Sequence, residues 1–193
     1  VCVFVDELGN AGFIAADLLS QAEHGPDSQV VLVTTSERII REVKIEIEVQ
    51  LASLPRKDVA KQALEHSKMI LTENIDIAID LVNEYAAEHL IVACQDDEGI
   101  AGRIINAGSV FLGNYSPESA GDYASGTNHT LPTNGYAKAY SGVSVDSFVK
   151  KISFQKLTQE GLNNIGHAVE SMARAEGLEA HARAVGVRRG REA

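Results

Sequence analysis

The amino-acid sequence predicts an α/β fold, in which helices cover an open, mostly parallel sheet. Two observations lead to this prediction. Short apolar runs alternate with segments of helical periodicity from the first residue to about Leu112, and only short links separate them. Such alternation is typical of βα units, whose strands lie parallel in one sheet. The last forty or so residues are helical in pattern, which predicts a small helical unit at the C-terminal end.

The elements of the predicted sheet domain follow one another in chain order. We predict strands at Val1–Val5, Gln29–Thr34, Lys68–Leu71, Leu90–Ala93 and Ser109–Leu112. We predict helices at Ala11–Glu23, Ser36–Ser53, Asp58–Glu65, Ile75–Ala87 and Asp97–Asn106. The dipeptide Gly25-Pro26 stops the first helix, and apolar side chains at four-residue spacing mark the second.

Residues 113–142 have a different composition, which is rich in Gly, Ser, Thr and Asn and includes two prolines. A segment of this length inside a compact domain is typically an ordered, functional loop. After it we predict a short helix near Asp146–Lys150, a strand near Ile152–Gln155, and helices at Thr158–Ala175 and Glu179–Val185. The predicted organisation is therefore an incomplete α/β domain over residues 1–142, which includes the loop, and a small helical region over 143–193.

Composition excludes several classes of protein. The chain has 17 basic and 27 acidic residues, a net charge of −10, which argues against a nucleic-acid-binding protein. No apolar run approaches the roughly 20 residues that a membrane helix needs. Cys2 and Cys94 are too few for a disulfide framework, so we expect a reducing compartment. Four arginines near the end are interpreted as a solvated tail: Arg183, Arg188, Arg189 and Arg191.

The chain opens inside a predicted strand, without an initiator Met and without a basic leader. We therefore expect a fragment of a longer protein, and we do not expect secretion. No glycine-rich nucleotide-binding motif follows a strand, and no G-x-S-x-G motif is present. The sequence consequently offers no obvious route to dinucleotide binding within these residues.

Two pairs of polar residues stand at predicted helix ends. Gln21 and His24 are three residues apart at a helix C-terminus, so both side chains project from one face, which is weak evidence for a metal site. Glu88 and His89 stand where a helix gives way to a strand. Adjacent side chains diverge on regular elements, which favours a surface charge pair, whereas a carboxylate beside an imidazole suits stepwise proton transfer. His66 and His167 are interpreted as surface residues.

Asp122 and His129 lie among small residues in the glycine-rich segment. Small residues let a ligand approach the backbone closely, and a carboxylate is a hard oxygen ligand. These features alone indicate a metal site or a polar-ligand site, without deciding between them.

Five stretches of the chain resemble histidinol dehydrogenase. They are LLSQAEHGPDSQ at 18–29, YAAEHL at 85–90, YSPESAGDYASGTNH at 115–129, LPT at 131–133 followed by GYA at 135–137, and MARAEGLEAH at 172–181. The resemblance implies an incomplete Rossmann-like domain. It also implies oxidation of L-histidinol through L-histidinaldehyde to L-histidine, with two NAD⁺ reduced and one zinc ion in each site.

The resemblance also implies roles for individual residues. It makes Glu88 and His89 the acid/base pair, with His89 accepting the alcohol proton and Glu88 activating water for the aldehyde step. The implied zinc ligands are Gln21, His24, Asp122 and His181. The implied substrate-binding residues are Gln21, His24, His89, Asp122, His129, Glu176 and His181.

The resemblance covers only the C-terminal half of that family's chain. It implies a homodimer in which His181 and Glu176 act in the partner's site, and it implies that NAD⁺ binds in the missing N-terminal half. No cofactor-binding residue is therefore expected here. We expect a cytoplasmic protein, or a plastid protein if a transit peptide precedes it. We also expect the sheet led by Val1–Val5 to have lost neighbouring strands, which leaves an open edge and uncovered apolar faces. The isolated chain should then be aggregation-prone or partly unfolded and show no histidinol-dependent NADH formation.

Two other functions compete with this one. The first is a catalytically inactive metal-binding or dimerisation fragment that keeps the motif residues by descent. The second is a zinc hydrolase, since a glutamate close to a zinc ion could activate water. Hydrolysis needs an open position on the metal, and four protein ligands with a bidentate substrate leave little room for one.

Overall fold

The computed structural model describes residues 1–190, which form two compact units, Val1–Phe148 and a unit that begins at Val149. In the first unit all five strands are parallel, in the order β3-β2-β1-β4-β5. The strands are β1 Cys2–Val5, β2 Val31–Thr34, β3 Lys68–Leu71, β4 His89–Ala93 and β5 Ser109–Leu112. The prediction of an open parallel sheet covered by helices is confirmed.

The first strand lies at the centre of the sheet, not beside an open edge. Cys2 is paired with Val31 on one side and with Leu90 on the other. The chain itself therefore supplies both neighbours of this strand. The edges of this sheet are β3 and β5.

Six helices of the first unit pack around this sheet, and three of them begin at a polar side-chain cap. The six helices are α1 Ala11–Ala22, α2 Glu37–Leu51, α3 Lys57–Glu65, α4 Ile75–Tyr85, α5 Asp97–Ala101 and α6 Glu118–Tyr123. The side chains of Asn10, Asn74 and Asp96 each accept a hydrogen bond from the backbone N–H three residues later. Such caps satisfy amides that have no partner inside the helix, and each contributes about 1 kcal/mol.

Both faces of the central strand are buried. Val3 and Val5 pack in one apolar cluster with side chains of α1, α2 and α3, while Cys2 and Phe4 pack in another with α4. Burying one such side chain contributes roughly 1.5–3 kcal/mol. This two-sided burial explains why β1 appears in the sequence as an uninterrupted apolar run.

One carboxyl group on α1 is partly buried. Burial raises the pKa of Asp17 to about 6. Because the folded state then binds a proton more tightly than the unfolded state, this group weakens folding as the pH rises from about 4 towards 7. We expect Asp17→Asn to stabilise the protein more at pH 8 than at pH 4. The change that it makes in the free energy of unfolding should be about 1 kcal/mol more positive at pH 8. Urea unfolding at the two pH values measures this, with Glu48→Gln on the exposed face of α2 as the control. An effect of Asp17→Asn that is equal at both pH values would contradict the prediction.

The structure differs from the sequence predictions at three places. Helix α5 ends at Ala101, five residues early, where Gly102 follows. The glycine-rich segment contains α6, which begins directly after Pro117, as well as a 3₁₀ turn at Tyr136–Lys138. The strand expected at Ile152–Gln155 is absent, and its residues are exposed without regular structure. A strand needs a paired neighbour for its backbone groups, which an apolar run alone does not provide.

The second unit consists of helices. Helix α7 spans Gln159–Ala175 and α8 spans Glu179–Gly186, followed by a 3₁₀ turn at Val187–Arg189. Gly177, at φ 76°, provides the left-handed turn between the two helices. The expectation of a solvated arginine tail is wrong at Arg189, whose Nη1 donates to the buried Glu170 Oε1 at 2.6 Å. Arg191 lies outside the described residues. Among the residues described, no helix has the length and apolar character that crossing a membrane requires.

Candidate active site

The Glu88–His89 pair lies at the amino edge of the sheet, because His89 is the first residue of β4. Helix α4 ends with Ala86 in the left-handed conformation, at φ 52° and ψ 59°. The backbone then joins β5 early, since the Ser109 N–H donates to the Glu88 carbonyl oxygen at 2.9 Å. The junction between α4 and β4 is therefore irregular. Two adjacent side chains can reach one site only at such a junction, because they diverge on a regular helix or strand. Ligands of Rossmann-like sheets usually bind at the opposite, carboxyl edge.

The left-handed turn at Ala86 predicts a specific sensitivity. A β-branched residue is strongly disfavoured in this conformation, and Ala86 is buried. We expect Ala86→Val to lower the free energy of unfolding by about 2 kcal/mol or more. Ala86→Gly is the matched control, because it relieves the backbone and loses one buried methyl group, and we expect a change below about 1 kcal/mol. Chemical unfolding measures both, and equal effects would contradict the assignment of strain.

His89 is buried, with 5% of its surface exposed. Neither of its ring nitrogens has a hydrogen-bond partner among the residues that the structure describes. Its Nε2 lies 3.7 Å from Asp122 Oδ1, and its ring centroid lies 6.1 Å from that of Phe111. Burial lowers the pKa of His89, while the Asp122 carboxylate opposes that change. The imidazole is therefore favoured in its neutral form, which can accept a proton or bind a metal.

Helix α6 brings two carboxyl groups to His89. Glu118 and Asp122 are four residues apart and so lie on one face of this helix. Gly121 lets α6 pack closely against Phe111 and Thr127, since a Cβ atom at this position would lie 2.6 Å from both the Phe111 ring and the Thr127 hydroxyl oxygen. Sequence reasoning did not single out Glu118, although its spacing from Asp122 directly after Pro117 was a usable signal.

Glu118 is almost fully buried, with 2% of its surface exposed. The Ser20 hydroxyl on α1 donates to its Oε2 over a long 3.4 Å. Burial and the neighbouring Asp122 carboxylate raise the pKa of Glu118 to about 7. One ligand atom from each of His89, Glu118 and Asp122 lies within 4.8 Å of the other two, and of these residues His89 and Glu118 are buried while Asp122 is partly exposed.

Glu88 opens onto a cavity of about 500 Å³ at the same edge of the sheet. Gln21, Tyr85 and the segments 27–29 and 133–135 line this cavity as well. The Tyr85 hydroxyl donates to Gln29 Oε1 at 2.9 Å, which joins the end of α4 to the segment after α1. Burial raises the pKa of Glu88, and the Asp122 carboxylate adds to the effect. A carboxyl group with a raised pKa is a stronger base than an exposed one, which suits proton abstraction.

The remaining residues of the predicted site in the first unit lie close to this pair. Gln21 is in the last turn of α1, and His24 follows just beyond the end of that helix. The charge of His24 acts on both Glu88 and His89, and that of His129 acts on His89. Imidazole nitrogens and carboxylate oxygens are ordinary zinc ligands, so the donors of His24 and Asp122 fit zinc. The amide oxygen of Gln21 can bind zinc but is an uncommon ligand.

Two predicted site residues lie in the second unit. Glu176 is the residue at which α7 ends, and His181 lies in the first turn of α8. Both side chains are exposed on that unit. Both therefore stand near the turn between the two helices, and their roles stay predictions.

Comparisons with known proteins identify relatives of this chain. The family model described as histidinol dehydrogenase matches residues 1–189. The histidinol dehydrogenase of Bacteroides fragilis (strain YCH46) is 60% identical over 186 residues, which are 96% of this chain and 44% of that protein. The histidinol dehydrogenase of Xanthomonas axonopodis pv. citri (strain 306) is 52% identical over 190 residues, or 98% of this chain and 44% of that protein.

A solved structure shows the same fold. The crystal structure of histidinol dehydrogenase from Elizabethkingia anophelis superposes with a TM-score of 0.91 at 58% identity, over 97% of this chain and 43% of that one. The chain thus spans less than half the length of the relatives it matches. The family resemblance noted in the sequence is confirmed: this chain belongs to the histidinol dehydrogenase family.

Proposed function

We propose that the full-length protein containing this chain oxidises L-histidinol through L-histidinaldehyde to L-histidine, with NAD⁺ as the hydride acceptor. The observation that supports it is the Glu88–His89 pair beside the partly buried Asp122, in a chain of this family. Both side chains of the pair have environments that favour proton transfer, since His89 is held neutral and Glu88 is made more basic.

The first oxidation uses His89 as the base. Its neutral imidazole accepts the hydroxyl proton of histidinol while the hydride on the same carbon leaves to NAD⁺, which yields the aldehyde, NADH and a proton. The burial of His89 keeps water from competing for its free ring nitrogen. Asp122, 3.7 Å away, then stabilises the imidazolium that forms.

The second oxidation needs water, and Glu88 opens onto the cavity where water can enter. Its carboxylate takes a proton from water as the oxygen adds to the aldehyde carbon, which forms a hydrated aldehyde. His89 accepts a hydroxyl proton of that hydrate while a second hydride leaves to NAD⁺. The products are the carboxylic acid, a second NADH and a proton, so atoms and electrons balance in both steps.

A zinc ion fits the donors at this edge of the sheet. Gln21, His24 and Asp122 of one subunit, with His181 of a second copy, would hold it. When bound, zinc supplies a positive anchor for the imidazole and amine of the substrate. His129 and Glu176 would contact the substrate as well, and the carboxylate of Glu176 suits an ammonium group.

Assembly as a homodimer is part of this proposal. His181 and Glu176 are exposed on the second unit, so their side chains are accessible to a second copy of the chain. Donation across a two-fold axis would complete both sites at once. NAD⁺ would bind to the part of the protein that lies outside this chain.

NADH formation tests the function. The full-length protein with zinc, NAD⁺ and histidinol should form two NADH for each histidine, followed by absorbance and by chromatography of the product. The 193-residue chain under the same conditions should form none. Absence of turnover in the full-length protein, together with retained zinc binding, would favour the inactive metal-binding alternative over this function.

A further inference from the structure

We propose that Glu170 is a positioning residue of the enzyme. Its ion pairs with Arg189 and Arg174 set the register of α7 against α8. That register places Glu176 and His181, which stand near the turn between the two helices, for the site of a second copy of the chain. The roles of Glu176 and His181 are part of the proposed function, on which this inference rests.

The buried residues of α7 and α8 are mostly small. They are Gly166, Glu170 and Ala173 of α7 and Ala182 and Gly186 of α8. Their spacing of four and then three puts the α7 residues on one face of that helix. Small side chains form shallow ridges and grooves, so their packing only weakly opposes the sliding of one helix along the other. Glu170 has the one long side chain among these five residues, and its contacts can therefore decide the register.

Glu170 is a buried acid between two arginines. Only 2% of its surface is exposed. Arg189 Nη1 donates to its Oε1 at 2.6 Å, and Arg174 Nη1 lies 3.6 Å from its Oε2. A buried carboxylate is strongly disfavoured without a positive partner. The helices are therefore favoured in the arrangement in which both arginines reach this side chain.

The backbone of α7 leaves space for one of these arginines. A Cβ atom at Gly166 would overlap the Cδ and Nε atoms of Arg189. The Arg189 side chain is itself 11% exposed, so it passes over α7 largely out of water. Gly166 and Glu170 are four residues apart, which puts this gap and the carboxylate on the same face. The contact is consequently an internal feature of the unit, unlike an exposed ion pair, which contributes little.

The two arginines hold α8 at both of its ends. Arg189 belongs to the 3₁₀ turn after α8 and ties that end to the middle of α7. Arg174 ties the beginning of α8, because its Nε also lies 3.3 Å from Glu179 Oε2. His181 lies between these two ties, two residues after Glu179. A displacement of about 1 Å can misplace a site residue enough to slow a reaction strongly, so loss of the ties should weaken the site.

Hydrogen exchange tests the positioning without an activity measurement. In the zinc-free full-length protein, Glu170→Gln should speed exchange of the backbone amides of residues 176–186 and leave the first unit unchanged. Glu160→Gln is the matched control, because it makes the same substitution at an exposed position of α7. Its exchange should equal that of the unmodified protein.

Zinc binding and steady-state kinetics measure the consequence for the site. The zinc concentration that half-saturates the full-length protein in equilibrium dialysis should rise by a factor on the order of 10–100 in Glu170→Gln, as for a group that orients a metal ligand. KM for histidinol should rise as well, while kcat at saturating zinc and histidinol should stay nearly unchanged. Excess zinc should therefore restore turnover to Glu170→Gln and not to His181→Ala, which lacks the ligand itself.

Arg189→Met provides an independent variant. It removes the partner charge and should shift zinc binding and KM in the same direction as Glu170→Gln. If the two residues act as a pair, the double variant should be no worse than the more affected single variant, since residues that act together have non-additive effects. This comparison guards against a folding defect peculiar to one substitution.

Three outcomes would overturn the inference. The first is unchanged zinc binding and KM in a folded Glu170→Gln protein. The second is a lower kcat at saturation with unchanged zinc binding. The third is loss of protection throughout the second unit in both Glu170→Gln and Arg189→Met, which would assign the pair to folding instead of register. If the proposed function fails because no histidinol is oxidised, hydrogen exchange and zinc dialysis still decide whether Glu170 sets the α7–α8 turn.

Discussion

Replacing His89 by Asn in the full-length protein should slow both oxidations by a factor on the order of 10²–10⁴, because each needs a base at the carbon that loses hydride. Glu88→Gln should differ. It should block conversion of the aldehyde to the acid and leave alcohol oxidation partly intact, because only the second half-reaction needs activated water. Separate rates with histidinol and with histidinaldehyde measure the distinction.

Asp80→Asn is the control for this pair of variants. It removes an exposed carboxylate on α4, the helix that leads into Glu88 and His89, without touching the cavity. Its rates should equal those of the unmodified protein. A Glu88→Gln protein that oxidises histidinaldehyde at the unmodified rate would falsify the role given to Glu88.

Mixing two inactive full-length variants should restore activity if His181 acts across the dimer. In a heterodimer of His89→Asn with His181→Ala, one site collects both defects and the other has none. Random pairing makes half the dimers mixed, so recovery should reach about a quarter of the unmodified activity. The measurement is NADH formation after the two variants have been dissociated and reassociated together.

A matched mixture controls for nonspecific recovery. His89 and Asp122 lie in the same unit of one subunit, 3.7 Å apart, so the variants His89→Asn and Asp122→Asn each spoil one site of a heterodimer. This mixture should stay inactive. No recovery with His181→Ala would show that His181 serves the site of its own subunit, whereas recovery in the control would show that the recovered activity is nonspecific.

The sheet was predictable from local patterns. All five strands lie within one or two residues of the predicted runs. The three central strands, β2, β1 and β4, are buried on both faces and are therefore apolar at nearly every position. Helix starts were marked by capping residues such as Asn10 and Asn74. Helix α6 was missed, because its six residues are small or polar and have too few apolar positions to show a helical period.

The candidate site was predictable only through family resemblance. Gln21 and His24 had weak physical support, and general sheet logic places ligands at the carboxyl edge, away from Glu88 and His89. These site residues come together in space only through contacts between residues that are far apart in sequence. Glu118 is an example, since it accepts a hydrogen bond from Ser20, which lies 98 positions earlier in the chain. A local sequence pattern contains no information about such a contact.

By itself, the sequence determined the class of fold, the order of its elements and the family to which the chain belongs, because periodicity and motif spacing are properties of neighbouring residues. The tertiary structure alone decided that β1 lies at the centre of the sheet, that His89 is buried with no hydrogen-bond partner among residues 1–190, and that α6 sets two carboxyl groups against it. The physical reason is that burial and electrostatic environment depend on what the fold brings together, and these in turn control the chemistry of the site.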